Sequence, residues 1–494
     1  MEVLDKAMKA SIRSASILVG CLMLSVTGCQ NFKGTRIVVE PDTVLNDVSH
    51  HPTGINVNYF MDDDAYLRPK RSTVEALRAM GVKYLRYPGG NKSDFYFWSV
   101  PPYEKSQPAL ARTGKGAVGK SLAKMLVNYS KFKYDVLDFD EFMEICHEIE
   151  GVPVICVAAD EYLVDYPEGC TVSDKQTLRQ NAVEWVRYAN IEKKYNVKYW
   201  MIGNETWHEK NENSTPEIYA GDVVDFSRAM KAVDPDIKII ANGRTIDWWQ
   251  KVLPLCVKDI DYLCVSNYPV RDYKKGYLTY RDNITDLLRE VNVAVDAIER
   301  FTTGEDKERL KVIVAEYGSM DWAGTWPHIN NMGHNLVSFE MTGEQLRIPR
   351  LEFSCFWNTR WIHNAEKENS IFDALDKDGN FNANGYGLAI WGNFLAPKMV
   401  KTSSTVRIRT FASFDPDKRK LFVYIINKSG DEEALWLDLK AYTVDSIVQR
   451  WELAGKGPSD TEPVWRKNES FLSSNFLEFT VPGTSITVVE FKLK

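Results

Sequence analysis

Two short stretches of the chain each run through apolar residues and stop at a glutamate. Tyr199-Trp-Met-Ile-Gly-Asn-Glu205 ends its apolar run at Gly203, and Asn204 and Glu205 follow directly. Val312–Ala315 repeats the pattern and stops at Glu316. A short apolar run of this kind reads as a strand of a parallel sheet, buried on both faces. The carboxyl ends of such strands are where open α/β sheets and (β/α)8 barrels keep their chemistry. Two glutamates so placed can face one pocket. Glycoside hydrolysis needs such a pair, one carboxyl to protonate the leaving oxygen and one to attack or to activate water. A single Glu in this setting often only opens a loop or caps a helix; the pair points to catalysis.

A third stretch, Leu85-Arg-Tyr-Pro-Gly-Gly-Asn91, also closes an apolar run. Gly89 and Gly90 permit a tight turn and close backbone approach. Arg86 supplies a permanent cationic fork that pairs well with a carboxylate.

The elements that must position these residues follow a rhythm. From Gly54 onward short apolar runs alternate with amphipathic segments: Ile55–Tyr59, Lys83–Tyr87, Val154–Val157, Tyr199–Ile202, Ile237–Ala241, Tyr262–Val265, Val312–Ala315 and Phe353–Trp357. Arg71–Met80, Phe139–Ile149, Leu178–Lys194, Glu217–Val233, Ile284–Phe301 and Leu336–Arg347 are among the helical segments between them. Eight strand-and-helix units predict a (β/α)8 TIM barrel over residues 54–397, with a doubly wound open sheet as the competitor. Past Leu395-Ala-Pro397 the pattern becomes strand after strand with turns between, which predicts an antiparallel β-sandwich over 398–494. Arg36–Val39, within the stretch 30–53, reads as a strand that joins this sandwich.

Composition narrows the function. The 494 residues include 44% apolar and 26% charged, with a formal charge of −7, which argues against a nucleic-acid partner. The 14 Trp and 23 Tyr suit a carbohydrate cleft, because sugars present apolar C–H faces to aromatic rings. Residues 1–29 read as a lipoprotein signal: Lys6, Lys9 and Arg13 precede the apolar Ile17–Val26, and Leu24-Ser-Val-Thr-Gly-Cys29 resembles a bacterial lipobox. Cys29 would then carry the lipid, the only membrane attachment, placing the protein in the bacterial cell envelope. Of the remaining cysteines, Cys156, Cys264 and Cys355 fall in barrel strands and read as small buried hydrophobes. His208, His328, His334 and His363 are too scattered for a metal site, and two-carboxylate hydrolysis needs neither metal nor cofactor.

Two features lie between Ser99 and Tyr134. Gly114-Lys-Gly-Ala-Val-Gly-Lys-Ser121 satisfies the phosphate-loop pattern, which would make the protein a nucleotide-dependent enzyme, but three prolines and no apolar run precede it. The same stretch carries seven basic residues against Glu104 alone, a net of about +6. That charge is either a solvated run or a lid for an anionic glycan.

Taken together, Arg36-Ile-Val-Val-Glu-Pro-Asp, Leu85-Arg-Tyr-Pro-Gly-Gly-Asn, Ile202-Gly-Asn-Glu, Val233-Asp-Pro, Asp261-Tyr-Leu-Cys-Val-Ser and the strand ending at Glu316 resemble the family-51 glycoside hydrolases, in that family's order. The resemblance implies an α-L-arabinofuranosidase-like enzyme of the retaining (β/α)8 clan, with Glu205 as acid/base and Glu316 as nucleophile. It also implies that Asn204 binds the substrate 2-hydroxyl, that Arg86 and Asn91 shape the site, that Tyr268 lies near the nucleophile, and that Trp357 is an aromatic platform. Three places depart from the family. Asn56-Val-Asn58-Tyr stands for a Glu-His pair, Asn267 for a His, and Thr206-Trp-His-Glu for Met-Asp-Gly. They face the substrate, so the choice of sugar stays open between arabinofuranosides and an anionic, sulfated or uronate polysaccharide. A non-hydrolytic glycan-binding lipoprotein on the same scaffold is the remaining rival.

Overall fold

The computed structural model describes residues 34–59, 62–99, 106–110, 127–128, 131–132, 137–160, 175–208, 214–360, 370–468 and 477–494. Cys29, the signal-like segment and the phosphate-loop pattern lie outside them, as does most of the basic stretch.

Eight parallel strands close into a barrel: Thr53–Asn56, Tyr84–Tyr87, Val152–Val157, Tyr199–Ile202, Lys238–Asn242, Tyr262–Asn267, Lys311–Tyr317 and Leu351–Phe356. They are numbered one to eight here, and strand eight pairs back onto strand one. The eight apolar runs are these strands, within a few residues at each end. Helices form between them where caps permit. Ser72 and Glu75 make a reciprocal capping box on Thr73–Met80, and Gly81 ends that helix at φ 71°. Asp138 and Glu141 cap Phe139–Glu148 in the same way. Pro216 begins Pro216–Lys231 behind a Thr215 cap.

Periodicity misplaces some helix starts. The segment expected over Ile284–Phe301 is helical only from Arg289, and that over Leu336–Arg347 starts earlier, at Met332. Met332–Leu346 is buried around nearly its whole circumference, because the second domain covers the face a barrel helix usually turns to water. Ile246–Cys256, which contains Pro254, and the largely apolar Ala383–Phe394 complete the ring.

Inside the barrel, Tyr84, Tyr199, Tyr262 and Phe353 pack with Cys156, Met201, Cys264, Ile313, Ala315 and Cys355. The three cysteines are free and buried, and burial pushes the Cys156 and Cys264 thiols up to about 12. They act as compact apolar filler.

Nine further strands form a mostly antiparallel two-layered domain with its own apolar core, which includes Ile37, Val39, Leu421, Val423, Leu435, Val489 and Phe491. Strand Thr35–Asp47 pairs antiparallel with Lys398–Thr402 and parallel with Glu433–Asp438, so it belongs to both layers. Its register shifts between Glu40 and Val44, next to Pro41, which has no N–H to donate. An ion network joins the two domains. Buried Glu340, on Met332–Leu346, meets Arg409 Nε at 2.6 Å and Lys428 Nζ at 3.0 Å, and accepts from Tyr280 OH at 2.5 Å. Both cations belong to the second domain.

Candidate active site

Strand seven ends in a bulge. Val265 of strand six pairs with Val314, but the next residue, Ser266, pairs with Glu316, leaving Ala315 as the extra residue. Strict alternation from Ile313 and Ala315, which point inward, would turn Glu316 out toward the helices. The bulge instead puts Ala315 and Glu316 on the pocket side and returns Tyr317 to the outer core. Glu316 is 6% exposed. Its Oε1 accepts from Arg86 Nη1 at 3.0 Å, and its Oε2 accepts from Tyr268 OH at 3.2 Å. Gly90 makes room above it, since a Cβ there would stand 3.1 Å from Glu316 Oε1 and 2.4 Å from the Trp357 ring.

Arg86 is 1% exposed and spans the top of the barrel. Besides Glu316 it donates to Asn56 Oδ1 at 2.8 Å and, through Nη2, to Asn204 Oδ1. Asn204 in turn donates to Asn91 Oδ1 at 2.9 Å. Asn56 ties the strand ends together by donating to the carbonyls of Ala315 and Phe356 at 2.8 and 3.1 Å. Arg86, Asn91, Asn204, Tyr268, Trp357 and Glu316 are thereby brought to one mouth, at the carboxyl ends of strands two, four, six, seven and eight.

Glu205 sits in a sharp turn after strand four, with φ +70° at Gly203 and +48° at Glu205 itself. A left-handed backbone at a non-glycine residue is strained and persists only where its surroundings enforce it. Here Asn242, at the end of strand five, donates to the carbonyls of Ile202 and Gly203 at 3.0 and 3.2 Å and accepts from Thr206 N at 2.9 Å. Tyr219 OH donates to the Ile202 carbonyl at 3.0 Å, and Thr206 Oγ1 donates to Asp160 at 3.1 Å. Glu205 has its pKa raised to about 7, chiefly by burial and next by the Glu316 charge; a Ser266 hydrogen bond, Arg86 and Arg244 pull the other way. Burial thus matters more to Glu205 than the neighbouring Glu316 carboxylate.

The departures from the family also find places. Asn58 donates to the Arg360 carbonyl at 2.8 Å, and Asn267 donates to the Leu287 carbonyl at 2.8 Å; both are fully buried. Trp207 carries the Arg244 guanidinium 4.8 Å above its ring. Sequence reasoning missed Asn242, Tyr219, Ser266, Arg244 and Trp322. Trp322 follows strand seven, is 50% exposed, and donates from Nε1 to the Tyr268 carbonyl at 3.2 Å. Asn242, Ser266 and Arg244 had one available signal, their position at or just past the carboxyl end of a barrel strand.

The described residues thus form a closed parallel (β/α)8 barrel with two carboxyl groups at its C-terminal mouth and a β-sandwich behind it. Residues 76–281 match the family model described as the alpha-L-arabinofuranosidase 1 domain. That segment, under half of the chain, is thus similar to α-L-arabinofuranosidases. It is 29% identical over 218 residues to the probable alpha-L-arabinofuranosidase C of Aspergillus niger, covering 40% of this chain and 37% of that one. With the intracellular exo-alpha-(1->5)-L-arabinofuranosidase of Acetivibrio thermocellus it shares 23% over 302 residues, 56% of this chain and 53% of the other. The matched part therefore spans about a third to a half of these curated relatives. Among solved structures, the arabinose complex of the Thermotoga maritima alpha-L-arabinofuranosidase superposes with a TM-score of 0.68 at 19% identity, covering 92% of this chain and 99% of that one.

Proposed function

We propose that the protein is a retaining glycoside hydrolase that releases α-L-arabinofuranosyl units from an oligo- or polysaccharide by double displacement. The observation that carries this reading is the pairing of unlike carboxyls: Glu205 with its pKa pushed up to about 7, and Glu316 gripped by Arg86 and Tyr268. In the first step a Glu316 oxygen attacks the anomeric carbon. The glycosidic C–O bond breaks as Glu205 gives its proton to the leaving oxygen. In the second, Glu205 takes a proton from water, which attacks the anomeric carbon and frees Glu316. Asn204, fixed between Arg86 and Asn91, would meet the sugar 2-hydroxyl, and Trp357 would wall the pocket. No metal or cofactor enters this chemistry.

Removing Glu316 (Glu316→Ala) abolishes turnover on every glycoside, because no glycosyl-enzyme can form. Glu205→Ala spares aryl glycosides with good leaving groups, which need little protonation. The test is hydrolysis of 4-nitrophenyl α-L-arabinofuranoside, with the first-formed anomer read by NMR. Near-native activity in Glu316→Ala, or an inverted product, would sink the mechanism. Retention corresponds to carboxyls about 5–5.5 Å apart and inversion to about 6.5–9.5 Å. A second reading, a clan glycosidase for another and anionic glycan, draws on Asn58 and Asn267, which replace charged or titratable residues of the family. The lipobox-like Leu24–Cys29 further supports export and anchoring through Cys29 at the bacterial cell envelope. Incorporation of labelled palmitate into the protein but not into Cys29→Ser tests that.

A further inference from the structure

Beside Glu205 the chain builds a cationic stack that the hydrolytic mechanism does not use. Trp207 lies two residues after Glu205, and Arg244 lies just past strand five, the neighbour of strand four. The Arg244 guanidinium stands 4.8 Å from the Trp207 ring centre, and the side chain is half-buried. An arginine stacked on an indole keeps its N–H edge free for in-plane hydrogen bonds. Among the described residues no carboxylate pairs with Arg244. Glu290, on strand six's side, feels the Arg244 charge but makes its ion pairs with Arg271 at 3.4 Å and Arg289 at 3.5 Å. Arg271 in turn stands 5.7 Å from the exposed Trp322 ring, so this rim of the mouth is aromatic and basic.

The side of the pocket matters. The group that protonates the leaving oxygen borders the leaving sugar, so a cation next to Glu205 meets that sugar rather than the one attacked by Glu316. We infer that Arg244, stacked on Trp207, is a specificity-determining residue that binds an anionic group, carboxylate or sulfate, on the leaving-group saccharide. This rests on the glycosidase reading above and refines it: the bond cleaved joins the released sugar to an acidic glycan chain. A planar fork favours two parallel hydrogen bonds to either oxyanion, while a neutral sugar offers it only hydroxyls. Asn242, two residues before Arg244, accepts from Thr206 N at 2.9 Å, which brings Arg244 alongside the Glu205 turn.

The experiment measures binding without turnover chemistry. Trigalacturonate, a sulfated carrageenan tetrasaccharide and neutral xylotriose are titrated calorimetrically into the wild type and into Arg244→Gln at 0.15 M salt. One charge-assisted bidentate contact predicts that at least one anionic probe binds about tenfold or more tighter than xylotriose, and that Arg244→Gln removes this preference. Preference for trigalacturonate alone identifies the group as a uronate, and preference for the sulfated probe alone as a sulfate ester. Equal binding of all three probes, no binding of any, or a preference that survives Arg244→Gln overturns the inference. Failure there leaves hydrolysis of the aryl arabinofuranoside intact, whereas failure of the glycosidase reading shows as no hydrolysis of that substrate.

Discussion

Two glutamates of the same chemistry are set apart by where they lie. Glu205 lies in a turn clamped by Asn242 of strand five, and burial leads the causes that raise its pKa to about 7. Glu316 has two donors on its oxygens, one of them the Arg86 guanidinium. This arrangement predicts that kcat/KM falls on the basic side near pH 7, as Glu205 loses the proton it must donate. In Glu205→Gln, assayed on an activated aryl glycoside, that basic limb disappears; a limb unchanged in the variant means another group is the acid. Stability follows with the opposite need. The folded-state pKa lies above the ordinary 4.5, so the contribution of this proton is fully present below about pH 4.5 and is lost as pH rises through about 7. Glu205→Gln is therefore more stable than the wild type at pH 8.5, by up to about 3 kcal/mol of unfolding free energy in urea titrations, and shows no such gain at pH 4.5.

At the scale of elements, the geometry of the two glutamates is held by strand ends rather than by the glutamates themselves. The bulge at Ala315 turns Glu316 inward, and Asn242 clamps the strained Gly203–Thr206 turn from strand five. Asn242 is a positioning residue, acting on the reaction only through Glu205. Asn242→Ala lowers kcat by about 10–100-fold, the usual cost of losing a supporting hydrogen-bond partner, with KM little changed. The loss is larger for alkyl than for nitrophenyl leaving groups, because only the former depend on the aim of Glu205. A merely structural Asn242 would depress both substrates equally.

Over the whole molecule, the barrel and the sandwich are joined by chain and by charge. Strand Thr35–Asp47 crosses both layers of the second domain before the chain enters the barrel at Thr53. Glu340 pairs with both Arg409 and Lys428, Glu344 meets Arg409 at 2.9 Å, and Lys428, fully buried, lies 3.9 Å from the Tyr280 ring. Burial lowers the Lys428 pKa, with Glu340 opposing that shift. Taking one partner from a buried network leaves uncompensated charge, so Glu340→Gln costs about 3–5 kcal/mol. Urea denaturation followed by tryptophan fluorescence reads this as a lower midpoint. An unchanged midpoint would mean the network is neutral to stability and serves only to orient the domains.

How much of this was written in the chain depends on the range of the interaction. The barrel strands, the change to β-structure past Pro397 and the glutamate pair were legible because each is a local pattern: an apolar run, a turn signal, a polar residue at a strand end. Arg86, Asn91, Asn204, Tyr268 and Trp357 were named through the family resemblance, and the structure brings them to the same mouth. Helix starts at Arg289 and Met332 were not; for Met332–Leu346 the reason is packing against the second domain, which buries nearly its whole circumference and erases its periodicity. The clamp by Asn242 and Tyr219 was not, since Asn242 lies 40 residues from Ile202 and nothing local distinguishes it from any other asparagine. The facing of Glu316 was decided only in the closed barrel. Alternation along strand seven points it outward, and it is the register with strand six, displaced by one residue at Ala315, that turns its carboxyl to Arg86 and Tyr268.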